Sequence, residues 1–183
     1  MDPNLIDRAR HGDEEAFTTL VLAYGDRLFS VAYRILRDVG RAEDAVQQAL
    51  LIAWRELPRL RDLTRFEAWL YRLLVNACYA EVRHTRRWQP GLRLITDDPG
   101  PTTDDPQLSI ARRDEFERAF RRLSGEHRAV LVMHHFLGFS GAEIGDALGL
   151  SPGTVRSRLH YARQHMRAAL EADARTVTSG GMA

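Results

Sequence analysis

Between Ser140 and Leu170 the chain reads SGAEIGDALGLSPGTVRSRLHYARQHMRAAL, and this stretch has room for little except two helices around a tight turn. Ser140 followed by Glu143 forms a capping box, in which each side chain can satisfy a backbone N–H at a helix start. Ile144, Ala147 and Leu148 then fall on one face. Gly149 suits the position just past a helix end, where a positive φ is common. Ser151 with Pro152 is an N-cap followed by a first-turn proline, so a second helix starts there. Two helices joined by a glycine-containing turn of about three to four residues make a helix-turn-helix.

The second helix has two stripes. On a wheel of about 100° per residue, Leu159, Ala162, Met166 and Ala169 lie within roughly 40° of Val155. Arg156, His160, Arg163 and Arg167 group at roughly 80–140°. Ser151–Leu170 carries four arginines and no acid. An ordinary solvated face interleaves the two signs. A face of one sign suits a helix that lies in a DNA groove.

The whole chain of 183 residues has a net charge of only +1, so a nucleic-acid site has to be a local patch. All 26 basic residues are arginine, so each phosphate contact would be made by a guanidinium able to bind in a bidentate manner. Cys78 is the single cysteine, which excludes an intrachain disulfide and a cysteine zinc cluster and fits a reducing compartment. Its neighbours Leu74, Val75 and Ala77 mark it as a small core residue. The charged start, MDPNLIDRARHGDEEAF, lacks the apolar stretch of a signal peptide. No run approaches the ~18 apolar residues of a bilayer span. A cytoplasmic protein without membrane insertion is expected.

The fold class is all-α. Apolar spacing predicts a long helix from Phe17 to Leu36, a turn at Asp38–Gly40, and a helix over Ala42–Leu57 that Pro58 ends. Pro58–Leu63 reads as a loop. Thr64 with Glu67 predicts a capping box for a third helix running to about Thr85. Acidic and proline-rich sequence then predicts a flexible linker over 91–108. Helicity resumes near Leu108, and Ser124 caps a helix over Glu126–Leu137. The expected organisation is a helical domain over 1–90, the acidic linker, a helical domain over 109–171 containing the helix-turn-helix, and a disordered tail over 172–183.

Several blocks resemble the extracytoplasmic-function (group 4) sigma factors of the sigma-70 family. Gly12–Phe17 with Leu20 and Tyr24 is similar to the start of the family's region 2, Ala42–Trp54 to region 2.2, Trp69–Ala77 to regions 2.3–2.4, and Gly153–Arg163 to the region 4.2 recognition helix. No segment corresponds to region 3. The resemblance implies a protein that binds core RNA polymerase, recognises the −35 and −10 promoter elements and helps open the DNA.

For core polymerase, it implies contact between region 2.2 and the β′ clamp helices, together with the β subunit. Asp38, Arg41, Glu43, Asp44, Gln47, Gln48 and Leu51 are the matching positions. For −35 DNA it places Thr154, Arg156, Ser157 and His160 near base edges and Arg158, Arg163 and Arg167 near phosphates. Arg158 lies about 300° round the wheel, off the main stripe, and can instead pair with an acid of its own domain. Ser140 and the first-helix N–H groups face the DNA backbone.

For −10 DNA it implies capture of a flipped base, whose unstacking cost of a few kcal/mol must be offset by stacking and edge hydrogen bonds. Arg59, Arg61, Arg65, Trp69, Tyr71, Arg72 and Asn76 surround the strand, and Arg83, Arg86, Arg87 and Trp88 extend a basic, aromatic end. Two positions depart from the pattern. Ala80 stands where many members carry Asp, and Gln48 where Glu is common.

No enzyme is expected, and no cofactor or metal. The seven histidines are scattered, no metal-ligand spacing recurs, and there is no glycine-rich phosphate loop. The competing reading is a conventional helix-turn-helix regulator with a helical interaction domain, which leaves Ala42–Trp54 unexplained. The family also suggests an anti-sigma factor as a partner, holding the two domains in a closed arrangement that hides the polymerase face.

Overall fold

The computed structural model describes residues 3–88 and 116–179, and the side chains of all of these except 86–88 and 172–179. Among the described residues there are helices and turns and no strand. The N-terminal unit contains α1 (Pro3–Arg10), α2 (Glu14–Leu36), α3 (Val39–Glu56) and α4 (Phe66–Trp88). The C-terminal unit contains a helical segment over 116–121, α5 (Gly125–Leu131), α6 (Gly141–Leu148) and α7 (Pro152–Ser179). The expected linker over 91–108, and the return of helicity near Leu108, lie outside the described residues.

Local signals explain most helix ends. Asp13 caps α2 by accepting from the Ala16 N–H at 3.0 Å, and Glu14 and Glu15 complement the positive end of the helix dipole. α2 ends at Arg37 in the left-handed conformation, φ 57°. Asp38 at once accepts from the Arg41 N–H at 2.9 Å, so α3 starts at Val39 rather than Ala42. The expected turn at Asp38–Gly40 is thus compressed into one strained residue and one cap.

Three further expectations differ. The Thr64–Glu67 capping box is absent: the Thr64 N–H and hydroxyl both donate to Asp62, at 3.0 and 2.6 Å, and a short 3-10 turn at Leu63–Arg65 leads into α4. The helix expected over Glu126–Leu137 stops being α-helical at Leu131, and Val132–Phe136 forms a wider π turn. α7 runs to Ser179, into the tail expected to be disordered from 172, because no Gly or Pro interrupts the sequence between Gly153 and Gly180. α1, with Ile6 and Ala9 buried, was not expected from the sequence at all.

Leu20, Leu28, Val31 and Ile35 of α2 meet Leu70, Leu74 and Cys78 of α4 in the core. α3 contributes Ala42, Ala45, Ala49 and Ala53, a stripe small enough to let its backbone approach both neighbours. Burial pushes the Cys78 thiol up to about 12, so it behaves as an apolar core group at neutral pH. In the second unit Met133, Ile144, Val155 and Ala162 fill the centre.

The two units pack against each other. Arg128 of α5 donates from Nε to the Ile35 carbonyl at 2.7 Å and from Nη1 to the Leu123 carbonyl at 2.6 Å. Burial lowers its pKa to about 10, which leaves it charged at neutral pH. Arg37 Nη1 meets Glu117 Oε2 at 2.7 Å with only 8% of its side chain exposed. A Cβ on Gly125 would lie 2.6 Å from a Val82 methyl, so α5 can approach α4 only with glycine there.

Arg128→Ala is expected to cost about 1–3 kcal/mol by leaving the Ile35 carbonyl without its charged donor. Small-angle scattering should then show a larger radius of gyration, and thermal unfolding should separate into two transitions.

Candidate nucleic-acid interface

The helix-turn-helix forms as its residues require. Ser140 Oγ accepts from the Glu143 N–H at 3.3 Å, and Glu143 Oε2 accepts from the Ser140 N–H at 2.8 Å, completing the capping box. Gly149 closes α6 at φ 64°, and Ser151 Oγ accepts from the Thr154 N–H at 3.1 Å to open α7. Gly145 matters for space: a Cβ there would come within 2.9 Å of the Leu150 carbonyl oxygen.

Val155, Leu159, Ala162, Met166 and Ala169 are buried, the inner stripe predicted by the wheel. Arg156, Ser157, His160, Arg163 and Arg167 are exposed on the other side. Thr154 is half-buried, and its hydroxyl lies 2.8 Å from that of Ser151. Ser157 Oγ donates to the Thr154 carbonyl at 3.0 Å. In this state both hydroxyls serve the helix start.

Arg158 takes its internal alternative. Its Nη2 lies 2.9 Å from Glu126 Oε2, its Nη1 donates to the Tyr79 hydroxyl, and only 17% of its side chain is exposed. Tyr79 belongs to α4, so this arginine links the recognition helix to the other unit.

On α4, Trp69, Arg72, Asn76 and Arg83 share one face within roughly 60°. Arg72 and Asn76 are exposed, and Trp69 is half-buried with its ring centroid 5.8 Å from that of Phe66. Arg83 lies over the Tyr79 ring at 5.1 Å. Tyr71 does not share this face; it is half-buried, and burial first, then Glu67, raises its pKa. Arg61 and Arg65 are exposed, and Arg59 pairs with Glu56 at 2.7 Å. The side chains of Arg86, Arg87 and Trp88 lie outside the described residues.

The outer face of α3 presents Glu43, Asp44, Gln47, Gln48 and Leu51, all exposed. Beside them Phe17, Leu50, Leu51 and Trp54 line an apolar cleft of about 350 Å3, with the Phe17 and Trp54 rings 4.8 Å apart. Asp38 and Arg41 do something different. Asp38 caps α3, and Arg41 Nη1 donates to Thr85 Oγ1 of α4 at 2.8 Å.

The docking of the units sets the first helix of the helix-turn-helix beside α4, while Arg72 and Asn76 of α4 and Arg156, Arg163 and Arg167 of α7 stay exposed. α4 packs against α5 and α6. The Glu143 carboxyl is held below the usual range, mainly by its Ser140 hydrogen bonds and more weakly by the positive charges of Arg65 and Arg72. The docked surfaces are the part of α4 around Tyr79 and Val82 and the end of α2, and the outer face of α3 is exposed.

Sequence reasoning missed His134 and His135. They lie on the π turn, where a 100° wheel does not apply, and only the fold carries them beside α7. His134 lines a cleft of about 430 Å3 with Arg156, His160 and Arg163, and Arg163 Nε donates to His135 Nε2 at 3.3 Å. It also missed the α2 terminus as a docking point.

Gly145→Val should crowd the Leu150 carbonyl, destabilise the C-terminal unit by about 1–3 kcal/mol and abolish specific duplex binding. Circular-dichroism melting and fluorescence anisotropy measure the two effects.

Residues 20–88 match the family pattern of Sigma-70 region 2, and residues 113–166 that of Sigma-70, region 4. The ECF RNA polymerase sigma factor SigL of Mycobacterium tuberculosis is 36% identical over 146 residues, covering 79% of this chain and 82% of the relative. SigW of Bacillus subtilis, another ECF RNA polymerase sigma factor, is 28% identical over 175 residues, covering 88% and 92%. The structure of CnrH in complex with the cytosolic domain of CnrY superposes with a TM-score of 0.60 at 26% identity, covering 94% of this chain and 98% of that one. With the two matched regions in order along the chain, and a relative of this identity spanning most of it, the protein belongs to the ECF sigma factors of RNA polymerase.

Proposed function

We propose that this chain binds core RNA polymerase in the cytoplasm and directs it to promoters. The N-terminal unit, assigned to 1–90, reads the −10 element. The C-terminal unit, assigned to 109–171, reads the −35 element, and 91–108 joins them. The observation that carries the proposal is the coexistence, in one chain, of an acid-free basic helix face and a separate exposed mixed face on α3. A DNA-binding regulator uses the first and has no evident use for the second.

In this reading Glu43, Asp44, Gln47, Gln48 and Leu51 meet the β′ clamp helices, while Asp38 and Arg41 hold α3 in place for them. Arg156, Ser157 and His160 enter the major groove, and Arg163 and Arg167 hold phosphates. Trp69, Arg72 and Asn76 form the wall against which an extruded base stacks and bonds. The chemistry is binding and strand separation, with no bond made by the protein itself.

Engagement of the exposed α3 face by polymerase is proposed to precede separation of the docked units. An anti-sigma factor is the proposed regulator. CnrH, a similar protein, was solved holding a segment of another protein.

The test is reconstitution. The purified chain should co-elute with core polymerase and support run-off transcription from promoters selected out of a random library. Leu51→Arg combined with Glu43→Arg should weaken core binding by about tenfold or more while leaving duplex binding intact. A chain that binds duplex DNA and never binds core would instead be a conventional regulator.

A further inference from the structure

The cleft between the π turn, α6 and α7 is lined by His134, Gly141, Ala142, Arg156, His160 and Arg163, among others, and by no acidic residue. His134 is the anchored member. Its Nδ1 lies 3.0 Å from the Phe139 carbonyl oxygen. A carbonyl can only accept, so Nδ1 carries the proton and donates. The neutral tautomer is thereby set, with a bare Nε2 that makes no hydrogen bond among the described residues.

In that form Nε2 offers a lone pair, which repels a phosphate oxygen. Protonation changes this without disturbing the anchor. Nδ1 still donates to Phe139, and Nε2 becomes a charge-assisted donor. We infer that His134 is a DNA-phosphate contact of the −35 module that is switched on by protonation of Nε2. The inference rests on the −35 reading of α7.

The charged and titratable groups on the surrounding elements fit this role. On the same turn, His135 accepts from Arg163 and is held below the usual imidazole range by burial, His134 and Arg163. α7 supplies Arg156, His160 and Arg163 to the cleft. On α6, Glu143 is engaged with Ser140, and Asp146 is exposed. On α5, Arg128 is tied to the Ile35 and Leu123 carbonyls. On α2, Arg34 lies 4.8 Å from the centre of the Phe136 ring. The cleft therefore has an excess of positive charge waiting for an anion.

The sign of the linkage follows. Bound phosphate favours the protonated ring, so affinity is greatest at acidic pH and falls as pH rises.

The test uses the full-length chain and a fluorescein-labelled duplex selected from a random pool by its own holoenzyme. Anisotropy titrations run from about pH 5.5 to 8.5 at constant ionic strength. The wild type should bind about tenfold more tightly at the acidic end, about 1.4 kcal/mol. His134→Asn keeps a donor for the Phe139 carbonyl and loses Nε2. It should flatten this dependence and lower the salt slope by about one at low pH. His134→Arg should bind tightly at every pH, and it carries the test should the asparagine variant fail to fold.

An unchanged pH profile in either variant overturns the inference. So does a profile that disappears in His160→Asn and persists in His134→Asn. Arg156→Ala separates the two levels of the reading. It should weaken binding at all pH values; if it does not, the −35 assignment fails first. If it does and His134→Asn changes nothing, only the present inference fails.

Discussion

The arrangement depends on what happens at the last turn of α2. A helix leaves its final carbonyls without partners. Here the chain reverses at Arg37 in a left-handed conformation and starts α3 directly from the Asp38 cap. That abrupt exit leaves the Ile35 carbonyl pointing out of the bundle, where Arg128 reaches it from the other unit. A cation at a helix C-terminus is favoured twice, by the hydrogen bond and by the dipole. Arg37, made accessible by the same reversal, pairs with Glu117. One strained turn thus supplies two of the anchors of the domain contact.

This contact assigns roles to arginines that composition alone cannot distinguish. Arg128, Arg37 and Arg158 are tied to carbonyls or carboxylates at the domain boundary. Arg156, Arg163 and Arg167 stay exposed on the outer face of α7. The protein has no lysine, so the same guanidinium chemistry serves both as internal fastening and as DNA-facing charge. What separates the uses is the distance to an acceptor within the fold.

The same division explains why the candidate surfaces are of unequal clarity. Residues on regular helices were placed correctly by angle alone: the buried stripe from Val155 to Ala169 and the exposed one from Arg156 to Arg167 both follow from the 3.6-residue period. On α4 the same period gathers Trp69, Arg72 and Asn76 and excludes Tyr71. Residues at irregular positions escaped it. Thr64 yielded its capping role to Asp62, which reached the Thr64 N–H and hydroxyl first. His134 and His135 fell on a π turn, and their relation to α7 spans about one helix-turn-helix of chain.

By itself the sequence determined the main helices, most of their caps, the inner and outer faces of the recognition helix, and the division into two units. These are set by interactions between residues a few positions apart, which a linear reading can follow. Only the tertiary structure decided the partner of Arg158, the docking of α5 on the end of α2 and against α4, and the cleft that His134 shares with the basic stripe. Those contacts join residues as much as 93 positions apart, from Ile35 to Arg128, and they exist because packing brings unsatisfied polar groups within reach of one another.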